Sequence, residues 1–423
     1  MNQQFDQAQR DLAGEIVSAG AICDECLGRP FAKVGRGLSN AERGQVLRAG
    51  LSDRAQAGGC WVCGGLFERA EAWAERAAGR VAELEFETYL FGVRFPPRLE
   101  EMEAFYTARF PSSEGESMKH AFNRVVGKAF EIRLGRAATV SFTSPDVSFV
   151  VDPGPDVLHL QVASLYVYGR YRKLLRGIPQ TRWPCRRCRG RGCPSCGFTG
   201  KQYPESVEEW IAAPLLEAAE ARDARLHGAG REDIDARMLG SGRPFVLEVL
   251  APRRRTLDLT SVHDDINERG AGKVEVSPLE FTGRATVALL KEASATKRYR
   301  AVVEFASPVD SERLYEALSG LCGRIGQRTP QRVAHRRADR IRYRCLTRAT
   351  GALEGVRRAV VEFEGEGGLY IKELVSGDDG RTDPSLAGCL GVGATVTELD
   401  VLEVRSDGFP DATRSVDNDG RLP

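Results

Sequence analysis

Eight of the eleven cysteines stand in four Cys-x-x-Cys pairs: Cys23/Cys26, Cys60/Cys63, Cys185/Cys188 and Cys193/Cys196. Each pair presents two thiols from one tight turn, and tetrahedral zinc takes four ligands, so the pattern predicts metal-centred modules inside a larger chain. Cys23, Cys26, Cys60 and Cys63 would hold one structural zinc, with chain folded inside the 33-residue spacer. Cys185, Cys188, Cys193 and Cys196 fall within twelve residues. They either close a second zinc locally or pair with cysteines elsewhere. A redox role for this cluster is the alternative, and it needs one thiol of low pKa. Pro184-Cys185-x-x-Cys188 is half of a zinc deaminase signature, but none of the five histidines has Glu two residues on, so nothing shuttles the proton.

A chain of 423 residues can carry two or three cored domains. No apolar run approaches the ~20 residues of a membrane span. Met1–Arg10 lacks the basic-then-apolar order of a secretory signal. A cytoplasmic protein off the membrane is expected, and there cysteines argue for metal before disulfides. Net charge is +1, but its distribution is uneven: of 60 basic residues only nine are Lys. A GC-rich coding bias explains part of the arginine excess, not its clustering. Between Asp156 and Glu205 there is no acid, against Arg170, Arg172, Lys173, Arg176, Arg182, Arg186, Arg187, Arg189, Arg191 and Lys201. From Arg324 to Arg348 nine arginines face Asp339 alone. Such fields attract phosphate and weaken with salt. Tyr166, Tyr168, Tyr171 and Trp183 interleave with the first cluster and suit either base stacking or a strand in a core. RNA is the expected partner.

Five regions are expected. Residues 1–75 read as a cysteine-bearing module and 76–178 as an α/β domain. Residues 179–203 form the second cysteine hairpin, 204–405 a further α/β domain, and 406–423 a polar, mobile tail. Strands are predicted over Val81–Val93, Val147–Val151, Val157–Val162 and Leu165–Tyr168. Helices are predicted over Ser117–Leu134 and Ser206–Arg225, the latter with Ser206 as N-cap. Later strands are expected at Phe245–Leu250, Tyr299–Phe305, Ile341–Leu346, Ala359–Glu364 and Val396–Val404. The class is α+β, with helices flanking a mixed or antiparallel sheet.

The segment from His227 to Phe245 sets Asp233 behind a glycine-arginine turn, with Gly240, Gly242 and Arg243 following. Short Asp keeps its oxygens near the backbone that aims them, and Arg231 and Arg243 can hold phosphate bidentately. Gly230-Arg231-Glu232-Asp233 resembles the Gly-Arg-Thr-Asp signature of pseudouridine synthases. The run through Arg237-Met-Leu-Gly240 and Gly242-Arg-Pro-Phe245 is similar to the archaeal family that makes pseudouridine at uridines 54 and 55 of the tRNA T-arm. Glu232 departs from the broad signature, but the narrower family resembles the chain there too. Ser144–Asp152, with the strands after it and Tyr168–Lys173, resembles a tRNA-binding THUMP domain. Cys185–Cys196 resembles the zinc hairpins of chaperone cysteine-rich domains. The resemblance implies a pseudouridine synthase core, a zinc at the first four cysteines, tRNA as partner and no organic cofactor. A monomer is expected.

Asp233 is accordingly the expected nucleophile, acting at the ribose of an extruded uridine. Lys297-Arg-Tyr299 is similar to a Lys-x-Tyr strand motif, which implies Tyr299 stacking on the base. Tyr370-Ile371-Lys372-Glu373-Leu374 resembles a later motif whose basic residue, here Lys372, pairs with the catalytic Asp. Ile371 and Leu374 would shape the apolar wall, and Arg231 would hold the nucleotide's phosphate. The bland alternatives are a turn residue for Asp233, a core strand residue for Tyr299 and a surface charge for Lys372. Asp235 is the local decoy. The rival function is a non-catalytic, zinc-containing tRNA-binding protein.

Overall fold

The computed structural model describes residues 5–51, 59–293 and 295–406. The expected tail therefore lies, beyond Ser406, outside the described residues. The chain divides into two compact units, Met1–Ala163 and Ser164–Pro423.

In the first unit the apolar alternation of Thr88–Val93 and Val147–Asp152 makes two parallel strands. Thr139–Val140 and Val157–Val162 complete a four-stranded sheet. Met118–Leu134, capped by the Ser117 hydroxyl, packs on it through Phe122, Val126 and Phe130. The expected strand Val81–Val93 starts only at Thr88, because the helix Ala70–Arg80 occupies the chain up to Val81. The first cysteine module has no core of its own. Cys26, Cys63 and Trp73 share one apolar cluster with Phe122 and Phe149.

The second unit is built on an eleven-stranded sheet among the described residues. Leu165–Lys173, read from the sequence as the end of the preceding domain, belongs here and pairs antiparallel with Ala236–Leu250. Alternation reveals a strand but not the sheet it joins. The helix expected over Ser206–Arg225 runs only over Val207–Ala218, with Ser206 capping the amide of Glu209. Asp223–Gly228 is instead a strand against Phe245–Leu250. Helix propensity in that Ala/Glu-rich stretch yields to pairing with a largely buried partner.

At the centre of the sheet Ala394–Ser406 lies antiparallel to Ala295–Phe305 and parallel to Ala236–Leu250. Asp400 faces Arg300 on one side and Arg237 on the other. Its carboxylate accepts from Arg237 Nε and Nη2, both at 2.8 Å, from Arg300 at 2.9 Å and from Arg176 at 2.7 Å. One acid thus ties three strands together. Burial alone would raise its pKa, but the hydrogen bonds from Arg237 and Arg300 hold it down at about 2. Stability from this group is complete above its ordinary value of 3.8 and is lost as pH falls towards 2. Asp400→Asn should therefore cost ~2 kcal/mol at neutral pH in urea denaturation. The gap to the parent should close between pH 4 and pH 2, and a pH-independent gap would refute the account.

Candidate active site

The loop 229–235 joins the strands Asp223–Gly228 and Ala236–Leu250. It turns at Gly230, whose φ of 81° favours glycine. Glu232 then points inward. Arg243 Nε donates to its carboxylate at 2.9 Å and the Tyr171 hydroxyl at 2.8 Å, with both members of the ion pair sealed from solvent. Gln180 donates to the Tyr171 hydroxyl and to the Gly230 carbonyl, and Arg243 to the Ala229 carbonyl. Burial pulls Arg243 down, but Glu232 more than restores its charge. Lys173, fully buried, donates to the Ile178, Asp233 and Ile234 carbonyls. Its burial lowers its pKa to about 8, and Glu232 opposes the shift.

The basic cluster at 170–176 needs a corresponding correction. Arg170 donates to the Ser241, Gly242 and Val404 carbonyls, and Arg176 to those of Asp235 and Leu399. With Lys173 these cations clamp the loop and sheet rather than offering charge to RNA. Their density along the chain carried no information about which way they face.

Asp233, next to inward Glu232, points the other way, into an open cavity of about 610 Å³. Its side chain is 31% exposed. Arg332 Nη1 donates to Oδ1 at 3.0 Å and its Nε to Glu373 at 2.6 Å. Arg332 lies 99 residues from Asp233 and was read from the sequence only as one arginine of a cluster. Lys372, the expected partner, stands 3.7 Å from Asp233 Oδ2 but 2.6 Å from Asp235 Oδ2. The cation is thus shared, and Asp235, the decoy, holds it more closely.

Tyr299 lines the same cavity, opposite Val401 on the neighbouring strand. It is also 8% exposed and part of the core, a core strand residue that reaches the cavity. Burial pushes its phenol up to about 12, keeping it neutral. Arg231 and Ile371 line the cavity, with the Arg231 guanidinium 4.9 Å over the Trp183 ring. Leu374 does not. It is fully buried in the core, one turn on from Ile371 in the short helix Ile371–Ser376. Its apolar place at the wall is taken by Leu399 and Val401, which no motif had marked. Arg337, Arg342 and Arg344 complete a basic rim.

The cysteines gather as the spacing predicts. Cys23, Cys26, Cys60 and Cys63 form one group, Cys185, Cys188, Cys193 and Cys196 the other, each with sulfurs within 4.8 Å of one another. Resolved sulfur separations of 3.7 Å (Cys23–Cys63) and 3.8 to 3.9 Å (Cys193–Cys196, Cys185–Cys193, Cys188–Cys196) match the ~3.8 Å edge of a tetrahedron with Zn–S bonds of ~2.3 Å. Both groups could therefore hold a metal ion.

Residues 166–405 match the family model described as Pus10, C-terminal, and residues 73–152 that of the archaeal Pus10 THUMP domain. Among curated relatives, "tRNA pseudouridine synthase Pus10" of Halorubrum lacusprofundi is 48% identical over 95% of this chain and 97% of its own. The protein of the same name from Methanothrix thermoacetophila is 45% identical over 95% of each chain. That from Archaeoglobus fulgidus is 47% identical over 82% of this chain and 94% of its own.

Two outcomes follow from the geometry. Glu232→Ala leaves Arg243 and Lys173 buried without their counter-charge and should destabilise the protein by ~3–5 kcal/mol in urea titrations. Elemental analysis should find up to two zinc per chain, and chelation should lower the melting temperature. A metal-free preparation of undiminished stability would contradict the second.

Proposed function

Since the chain belongs to the archaeal Pus10 family, we propose that it is a tRNA pseudouridine synthase in which Asp233 acts on the ribose of an extruded uridine. The reaction breaks N1–C1′, turns the uracil and joins C5 to C1′. A proton leaves C5 and one arrives at N1, so the base is isomerised with no atom gained or lost. It calls for a carboxylate, a pocket for the base and cations for the backbone, not for an organic cofactor. The observation that carries the reading is the presentation of Asp233 at the wall of an open basic cavity that also contains Tyr299.

Within that cavity Arg332 and Lys372 set the position of the carboxylate, and Tyr299 with Ile371, Leu399 and Val401 offers a flat, apolar seat for uracil. Arg231 and the rim arginines suit the phosphates on either side. The uridines concerned are those of the T-arm, at position 54, position 55 or both, and the enzyme would work in the cytoplasm. The cysteine groups would carry structural zinc, with no open ligand position for chemistry.

Asp233→Asn should bind a tRNA transcript as tightly as the parent and form no pseudouridine in a nucleotide-resolution map. A folded variant that still converts uridine refutes the assignment and returns the chain to a tRNA-binding role. Arg332→Met frees one side of the carboxylate and should slow turnover on the order of 10²-fold at saturating tRNA. Unchanged turnover would remove Arg332 from the site's machinery.

A further inference from the structure

The hairpin from Trp183 to Lys201 holds a side chain that serves no internal purpose. Phe198 is 74% exposed. Its backbone lies in the left-handed region, φ 61°, directly after Gly197 at 58°. For a bulky residue this conformation is strained and persists only where the surroundings impose it. Here the Phe198 carbonyl oxygen packs 2.8 Å from where a Cβ on Gly192 would stand, and the Gly200 amide donates to the Cys196 sulfur just beyond it. In the same hairpin Arg186, Arg187, Arg189 and Arg191 are all exposed, and no acid occurs between Asp156 and Glu205. At the hairpin's base Trp183 meets Tyr203 edge-on and carries the guanidinium of Arg231, which lines the catalytic cavity. The base of the hairpin is thereby in contact with a residue of the cavity lining.

We propose that this hairpin is a nucleic-acid finger in which Phe198 stacks on an unpaired base of the substrate RNA near the extruded uridine, while the arginines take the flanking phosphates. The inference rests on the tRNA substrate proposed above. Phe198→Ala in the zinc-loaded full chain should weaken tRNA binding about tenfold. Zinc content and the single-turnover rate at saturating tRNA should stay the same, and Phe198→Trp should restore binding. Parental affinity in Phe198→Ala, or failure of the Trp variant to restore it, overturns the proposal. Asp233→Asn, measured alongside, separates the cases: if it remains active the catalytic reading fails, whereas the finger is judged by affinity alone.

An independent observation concerns Lys297, which lines the cavity two residues before Tyr299 and so on the same face of the strand. One glycine makes room for it: a Cβ on Gly230 would lie 2.9 Å from its Nζ. Burial and the neighbouring Arg243 depress the amine to about 7, with Glu232 opposing them. Glu232 already accepts from Arg243 and Tyr171. The residue is half-buried at the cavity wall, and among the described residues its amine has no hydrogen-bond acceptor and no ion-pair partner, which leaves it available to an acceptor on a ligand in the cavity.

We infer that Lys297 is a further catalytic residue, donating a hydrogen bond to a carbonyl oxygen of the extruded uracil. When N1–C1′ breaks, the electron pair stays with the base and negative charge spreads onto its oxygens, where a fixed donor is worth most. C5 then bonds C1′, the C5 proton passes to solvent and N1 takes one up, and the lysine gives up none. Lys297→Met should lower the saturated rate on the order of 10²-fold with tRNA affinity unchanged. Lys297→Arg should recover part of the rate, and methylammonium should rescue Lys297→Ala. A parental rate in Lys297→Met, or a loss confined to affinity, overturns the inference. If Asp233→Asn is also fully active, the catalytic reading falls with it.

Discussion

The cavity depends on the buried ion pair between Glu232 and Arg243. Taking two charges out of water is expensive, and the pair stands because Tyr171 fills a remaining acceptor site and Lys173 adds a second positive charge nearby. What it gains is position rather than stability. Adjacent residues in an extended segment face opposite ways, so driving Glu232 inward drives Asp233 outward. Lys173 then grips the Asp233 and Ile234 carbonyls from beneath. The role proposed for Asp233 needs a fixed carboxylate, since on a mobile loop it would lose its alignment. Here the loop is anchored on both sides of Asp233.

The second constraint is the parallel pairing of Ala394–Ser406 with Ala236–Leu250. It sets Leu399 and Val401 beside the start of the strand that Asp233 precedes, and antiparallel pairing with Ala295–Phe305 sets Tyr299 across from Val401. Asp400, between Leu399 and Val401, points to the opposite face by the pleat and binds three arginines there. One strand thus lines the cavity with apolar residues and locks the sheet with the acid between them.

What was legible in the sequence was local. The place of Asp233 beside the turn could be read because turn, carboxylate and following strand are contiguous, and the cysteine groups because ligand spacing is set by a single turn. Arg332 and Leu399 could not, because the sheet brings them to the loop from far along the chain, and an arginine among nine or a leucine in a strand carries no mark. The placing of Leu374 at the wall failed for a related reason. The motif gives the helix, but which side of so short a helix meets the cavity depends on what packs against it, and Leu374 meets the core. The strand Asp223–Gly228 was hidden by residues that favour helix and yield to a partner.

Arginine does two separate jobs, and composition merges them. Within and beside the sheet, Arg170, Arg176, Arg237 and Arg243 satisfy carbonyls and carboxylates of the protein itself; Arg170, Arg176 and Arg243 each bind several groups, and Arg237 holds the Asp400 carboxylate with two donors. Where nineteen residues must stand out from the sheet, as in the hairpin 183–201, no apolar core can form, and four sulfurs around a metal would supply the cross-link instead. The hairpin's arginines stay exposed, although Arg187 donates to the Ser195 hydroxyl and Arg191 to the Cys188 carbonyl. The same residue type in one unbroken basic run therefore changes setting, from buried clamp to exposed surface, at the point where the cysteine group takes over from strand pairing.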